Sequence, residues 1–114
     1  MKIKLSIITG LLIILIMPIA HSECIYPMKS FDMPNGSKAS EKDMIDAQTK
    51  IKSYQAELGS YRDCLDEELA SIPKQLENYD EISGLSLKKF NAAVDAETVL
   101  AEDWGTAVRA YKSQ

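Results

Sequence analysis

The sequence predicts an all-α fold: an antiparallel hairpin of two long helices, with an extended N-terminal segment stapled to it by one disulfide. Three observations carry this. Two stretches, Ser40–Ile72 and Leu87–Lys112, repeat apolar residues at helical spacing. The stretch before them is punctuated by proline and by an Asn-Gly pair. The chain has two cysteines, Cys24 and Cys64, far apart.

The first helix is the organising element. Counted in sevens from Met44, one seam position holds Met44, Ile51, Leu58, Leu65 and Ile72. The other holds Ala47, Tyr54, Tyr61 and then Glu68, its only break. A 3.5-residue apolar period is that of a helix packed on another helix, the pattern of a coiled coil. Ser40 opens it with Asp43 three residues on, a capping-box variant. Pro73 closes it, since proline lacks the amide and crowds the preceding turn. Gly59 weakens it locally, at about 1 kcal/mol against alanine. The charged residues Glu41, Lys42, Asp43, Lys50, Lys52, Glu57, Arg62 and Asp63 fall off the seam and read as a solvated face.

The second helix is predicted over Leu87–Lys112, with a seam of Leu87, Phe90, Val94, Ala101, Trp104, Val108 and Tyr111. Ala93, Leu100 and Ala107 widen this seam, and Glu97 interrupts it. Glu68 and Glu97 are expected at the wet ends of the hairpin, or beside a register that drifts to Leu69 and Leu100. Between the helices, Leu76, Tyr79 and Ile82 are spaced by three, so a short or kinked helix fits there, and Ser83-Gly84 reads as a break. Alternatively, Pro73 only kinks a continuing helix. Two long amphipathic helices with a short link fold back on each other.

The remaining boundaries follow from composition. Residues 1–22 read as a secretory signal peptide: Lys2 and Lys4, an apolar run from Leu5 to Ile19, then Ala20-His21-Ser22 before a cleavage point at Glu23. A retained membrane anchor and a lipoprotein are the competing readings, and the apolar run is short for a span. Residues 23–39 form an extended segment and 40–114 the hairpin. Removing the signal leaves 114 − 22 = 92 residues with net charge (13 − 2) − 17 = −6. That acidity argues against nucleic acid or anionic lipid as partner, leaving membrane contact only through an uncleaved signal. In an oxidising compartment Cys24 and Cys64 are expected to be joined. The extended segment then lies antiparallel along the first helix. There Ile25, Tyr26, Met28, Phe31 and Met33 either cover the seam or form an exposed recognition strip.

Much chemistry is excluded. The only histidine, His21, lies in the signal. Without it there is no imidazole base for a catalytic triad and no imidazole metal site. With both cysteines bridged there is no thiol nucleophile, and there is no glycine-rich phosphate loop. Carboxylates remain: Asp63, Asp66, Glu67 and Glu68 on the first helix, and Asp95, Glu97, Glu102 and Asp103 on the second. They read as solvated faces, with a cation site as the alternative. Tyr54, Tyr61, Phe90, Trp104 and Tyr111 read as core, with an apolar ligand pocket as the alternative.

One resemblance runs through the chain. It rests on Cys24, Pro27, Pro34-Asn35-Gly36, Ala39-Ser40, Asp43-Met44, Ala47-Gln48, Ile51, Tyr54, Tyr61 to Leu65, Asn91 to Asp95 and Arg109 to Lys112. In this set and its spacing the chain resembles an uncharacterised family of small exported, periplasmic proteobacterial proteins that are helical and carry two cysteines. Trp104-Gly105 departs from the Phe-Asn pair of such relatives. The resemblance implies an exported helical protein with a disulfide and implies no activity.

The expectation is therefore a non-enzymatic exported protein of a Gram-negative cell envelope, periplasmic or secreted, in a structural or protein-interaction role. It needs no cofactor, metal or catalytic residue, and its partner is a second copy or another envelope protein. The alternative is a periplasmic binder of a small apolar ligand or divalent cation.

Overall fold

The structure, a computed structural model, describes residues 23–114. The signal reading of residues 1–22, and His21 with it, lies outside the described residues. Among the described residues there are two helices and no strand: α1, Glu41–Ala70, and α2, Tyr79–Lys112. At 1.5 Å per residue they are about 45 and 51 Å long.

The start of α1 is as the sequence predicts. Ser40 Oγ accepts from the Asp43 amide at 3.1 Å, and the Asp43 carboxylate accepts from the Ser40 amide at 2.9 Å. Each satisfies a donor that the first turn leaves without an intrahelical partner. The Ser40 bonds hold the Asp43 carboxyl below its ordinary value of 3.8. At the other end the helix stops ahead of Pro73 and is not merely kinked by it. The helix stops at Ala70, with the Ser71 amide capping back onto Glu67 and Glu68.

α2 begins eight residues earlier than its apolar pattern predicts, at Tyr79. Ser83-Gly84 is no break. Gly84 is exposed, with nothing near the place a side chain would occupy. Glycine there costs about 1 kcal/mol. Two further turns of helix that half-bury Tyr79 and Ile82 outweigh it.

The pairing of the helices fixes their direction. Met44, near the start of α1, shares a cluster with Ala107, Val108 and Tyr111 near the end of α2. Arg62, late in α1, reaches Glu97 in the middle of α2. The helices therefore run antiparallel. The α1 seam is buried as read, with Leu58 at 0% and Leu65 at 2% exposure. The α2 seam is as read only in part: Phe90, Val94, Trp104, Val108 and Tyr111 are half-buried, and the residues read as widening the seam are the fully buried ones. Leu87 is 59% exposed and Ala101 lies in solvent. The buried positions are Ala93, Leu100 and Ala107, seven apart. Alanine at two of them, Ala93 and Ala107, lets the two backbones come close on either side of Leu100.

The extended segment forms a third layer. Cys24 is bridged to Cys64, with their Cα atoms 5.8 Å apart. Tyr26 meets Tyr61 edge-on at 5.3 Å, and Phe31 meets Tyr54 likewise at 6.0 Å. Asn35-Gly36 then turns the chain into α1. The Lys38 and Ala39 amides donate to the Asn35 carbonyl, and the Asn35 side chain accepts from Ser37.

Candidate functional site

The residues singled out by the sequence fall into three groups. The cysteines form the bridge. The carboxylates Asp63, Asp66, Glu67, Glu68, Asp95, Glu102 and Asp103 all lie exposed on the helix surfaces. Among the described residues, no three His, Cys, Asp or Glu side chains are grouped so as to hold a metal ion. Of the aromatics, Tyr54 and Tyr61 are buried in the hairpin core, and Phe90, Trp104 and Tyr111 are half-buried beside it. Burial, and then neighbouring Tyr26, push both buried phenols above the usual tyrosine range. No helix among the described residues is long and apolar enough to cross a membrane.

Glu97 is the exception among the carboxylates. It does not sit at a wet end, and the register beside it does drift to Leu100, which is buried. It occupies the same seven-residue position as Phe90 before it and Trp104 after it, at the middle of the interface. Arg62 crosses from α1 and donates to its carboxylate at 3.0 Å. The guanidinium also lies 5.7 Å from the Phe90 ring centre. Both side chains are about three-quarters covered, at 29% and 25% exposure. The signal was present in the sequence: a carboxylate between two seam aromatics needs a cation opposite. Glu68 behaves differently, lying exposed while Leu69 is half-buried.

A half-buried pair of this kind contributes more to register than to stability. The α1 seam offers the near-equivalent residues Met44, Ile51, Leu58 and Leu65 to α2, so apolar contacts alone distinguish poorly between slips of one heptad. Removing Arg62 alone, by Arg62→Ala, is expected to cost about 1–2 kcal/mol, because Glu97 is left without its partner. The double change Arg62→Met with Glu97→Leu is expected to restore stability while losing register. Chemical denaturation reads the first effect. Doubled or broadened amide resonances in the interface read the second.

The extended segment leaves open grooves on the hairpin, among them one at its end between residues 33–36 and Asp103, Thr106 and Ala110 of α2. Another runs between the segment and α2, with Lys29 on one side and Asp95, Val99 and Asp103 on the other. Two more lie between the segment and the outer face of α1: in one, Ile25 and Pro27 face Ser53, Ala56, Glu57 and Ser60, and in the next, Met28 and Ser30 face Lys50, Ser53 and Glu57. The segment's apolar residues thus divide. Phe31 and Met33 pack on the core, while Ile25 and Met28 stand 84% and 86% exposed. The sequence left covering and exposure as alternatives, and the segment does both. No protein-family model, curated protein or solved structure matches the chain.

Proposed function

We propose that the protein is a small, exported, non-enzymatic component of a Gram-negative cell envelope, periplasmic or secreted, with a structural or protein-interaction role. The Cys24–Cys64 bridge carries this reading. Disulfides persist in oxidising compartments, and a small domain gains most from one. The bridge supports the reading of residues 1–22 as a cleaved export signal, and the resemblance to small periplasmic proteins points the same way. The hairpin presents surface rather than a cleft. Apolar side chains held out on a disulfide-fixed segment suit contact with another protein.

The test is the intact mass of the protein recovered from periplasm, with and without reductant. The expected species begins at Glu23 and gains the two hydrogens of an opened disulfide. A full-length species with free thiols would overturn the assignment to the envelope.

A further inference from the structure

We propose that Asn35-Gly36 is a modification site guarded by the fold: Asn35 deamidates slowly while its turn rests on α2, and the isoaspartyl product cannot return there.

The chemistry belongs to the dipeptide. The Gly36 amide nitrogen gives its proton to hydroxide and bonds to the Asn35 side-chain carbon Cγ. The Cγ–Nδ2 bond breaks, the departing nitrogen takes a proton from water, and ammonia leaves behind a cyclic succinimide. Water then opens the ring. Opening at Cγ gives aspartate. Opening at the main-chain carbon gives isoaspartate, whose backbone is longer by one carbon. Glycine in second place hinders the closure least, because no side chain shields its nitrogen. Asn78 is followed by Tyr79 and Asn91 by Ala92, so Asn35 is the reactive asparagine of the described residues.

Burial does not protect the Asn35 side chain, which is exposed. The guard is conformational. Ring closure turns the Asn35 Cα–C bond until the Gly36 nitrogen meets Cγ, and it carries the Asn35 carbonyl and Gly36 along. That carbonyl is held by the Lys38 and Ala39 amides, at 3.0 and 2.9 Å. The side-chain oxygen accepts from the Ser37 amide at 3.2 Å and from the Ser37 hydroxyl at 2.6 Å, so the oxygen and not Cγ faces the following amides. Gly36 is buried against α2, where a Cβ would fall on the Ala107 carbonyl oxygen. From the end of the chain, Gln114 Nε2 donates to the Gly36 and Ala39 carbonyls at 2.5 and 3.0 Å. Reaction therefore waits for the turn to lift off α2, a local opening of the fold.

The two products then part. Aspartate keeps the backbone and an oxygen for Ser37, so its turn docks again. Isoaspartate lengthens the backbone at a place with no room for a Cβ. Its turn stays off α2, and the extended segment is left anchored at its disulfide end.

Peptide mapping by mass spectrometry tests this. The disulfide-bonded protein is incubated at mildly alkaline pH beside the same chain reduced and unfolded in guanidinium. Asn35 is expected to deamidate at least about tenfold more slowly in the folded protein. Gln114→Ala cuts the tie without touching the dipeptide. It is expected to speed deamidation of the folded protein about threefold or more, with circular dichroism unchanged. After chromatographic separation, the isoaspartyl form is expected to melt at least about 10 °C below the aspartyl form. Equal rates in the folded and unfolded chains overturn the proposal, as does a Gln114→Ala rate equal to that of the wild type. An isoaspartyl form as stable as the aspartyl form overturns it too, since its turn would then have docked again.

Discussion

Replacing Cys24 and Cys64 together by serine is expected to lower stability by about 4 kcal/mol. The bridge closes a loop of 64 − 24 + 1 = 41 residues. Cross-linking that loop removes conformations from the unfolded chain rather than adding contacts to the folded one. A domain of this size has about 5–15 kcal/mol in total, so the loss is large. For a domain below about 100 residues it corresponds to a fall in Tm of about 15–30 °C. The damage should also be local. Between Cys24 and Met33 the extended segment makes no backbone–backbone hydrogen bond. Its other ties are the packing of Phe31 and Met33 on the core, edge-on aromatic contacts to Tyr61 and Tyr54, and a long bond at 3.4 Å from the Tyr54 hydroxyl to the Pro27 carbonyl. Once the bridge is gone these are weak against the entropy of a free chain. Helix content should therefore survive at low temperature, while the segment becomes sensitive to protease and Tyr54 and Tyr61 gain solvent. A Tm within about 5 °C of the wild type, with the segment still resistant, would show that the bridge is peripheral.

The parts of this fold that were legible in the sequence are those decided locally. Ser40 with Asp43 is a start signal complete within four residues, and Pro73 marks the place where a helix must stop or kink. The seam through Met44, Ile51, Leu58 and Leu65 is read from large apolar side chains, which are conspicuous. α2 was harder because its contact line is Ala93, Leu100 and Ala107. Alanine carries little hydrophobic signal. Leu87, Val94 and Ala101 therefore drew the seam to one side of its true position. The start of α2 was missed because Ser83-Gly84 looks like a break, and a solvent-facing glycine costs too little to make one.

The candidate surfaces were legible only in part, because they depend on pairs distant in sequence. The bridge could be named because there are only two cysteines to pair. Glu97 was visible as an anomaly, but its partner Arg62 is 35 residues away and sits among charged residues that look alike. The division of the extended segment into a packed half and an exposed half follows from where Cys24 is pinned. Phe31 and Met33 then fall over the core, and Ile25 and Met28 beside it. No local pattern distinguishes Met28 from Met33.

Gly36→Ala is expected to destabilise the protein by about 3 kcal/mol, although it adds one methyl group. Asn35-Gly36 forms a turn, but the glycine is not there for its backbone angles: no glycine among the described residues has a positive φ. Gly36 is buried because the turn lies directly on α2. A Cβ at this position would fall on the carbonyl oxygen of Ala107, 2.8 Å from the carbonyl carbon and 3.0 Å from the Ala110 Cβ. The first two atoms are helix backbone and cannot swing aside. Either the turn lifts off α2 or α2 shifts against α1. Lifting breaks the bonds by which the Gln114 side chain holds the Gly36 and Ala39 carbonyls. It also opens the cluster of Ala39, Met44 and Ala107. Thermal unfolding should show Tm lowered by about 12–24 °C. Trimming Ala110 to glycine should rescue little of it, because the main clash is with backbone. Gly84→Ala is the control of opposite sign: nothing lies within 4 Å of that position, and alanine favours helix. A Gly36→Ala protein with unchanged Tm would mean that the turn does not rest on α2 in solution. The extended segment would then be anchored at its disulfide end alone.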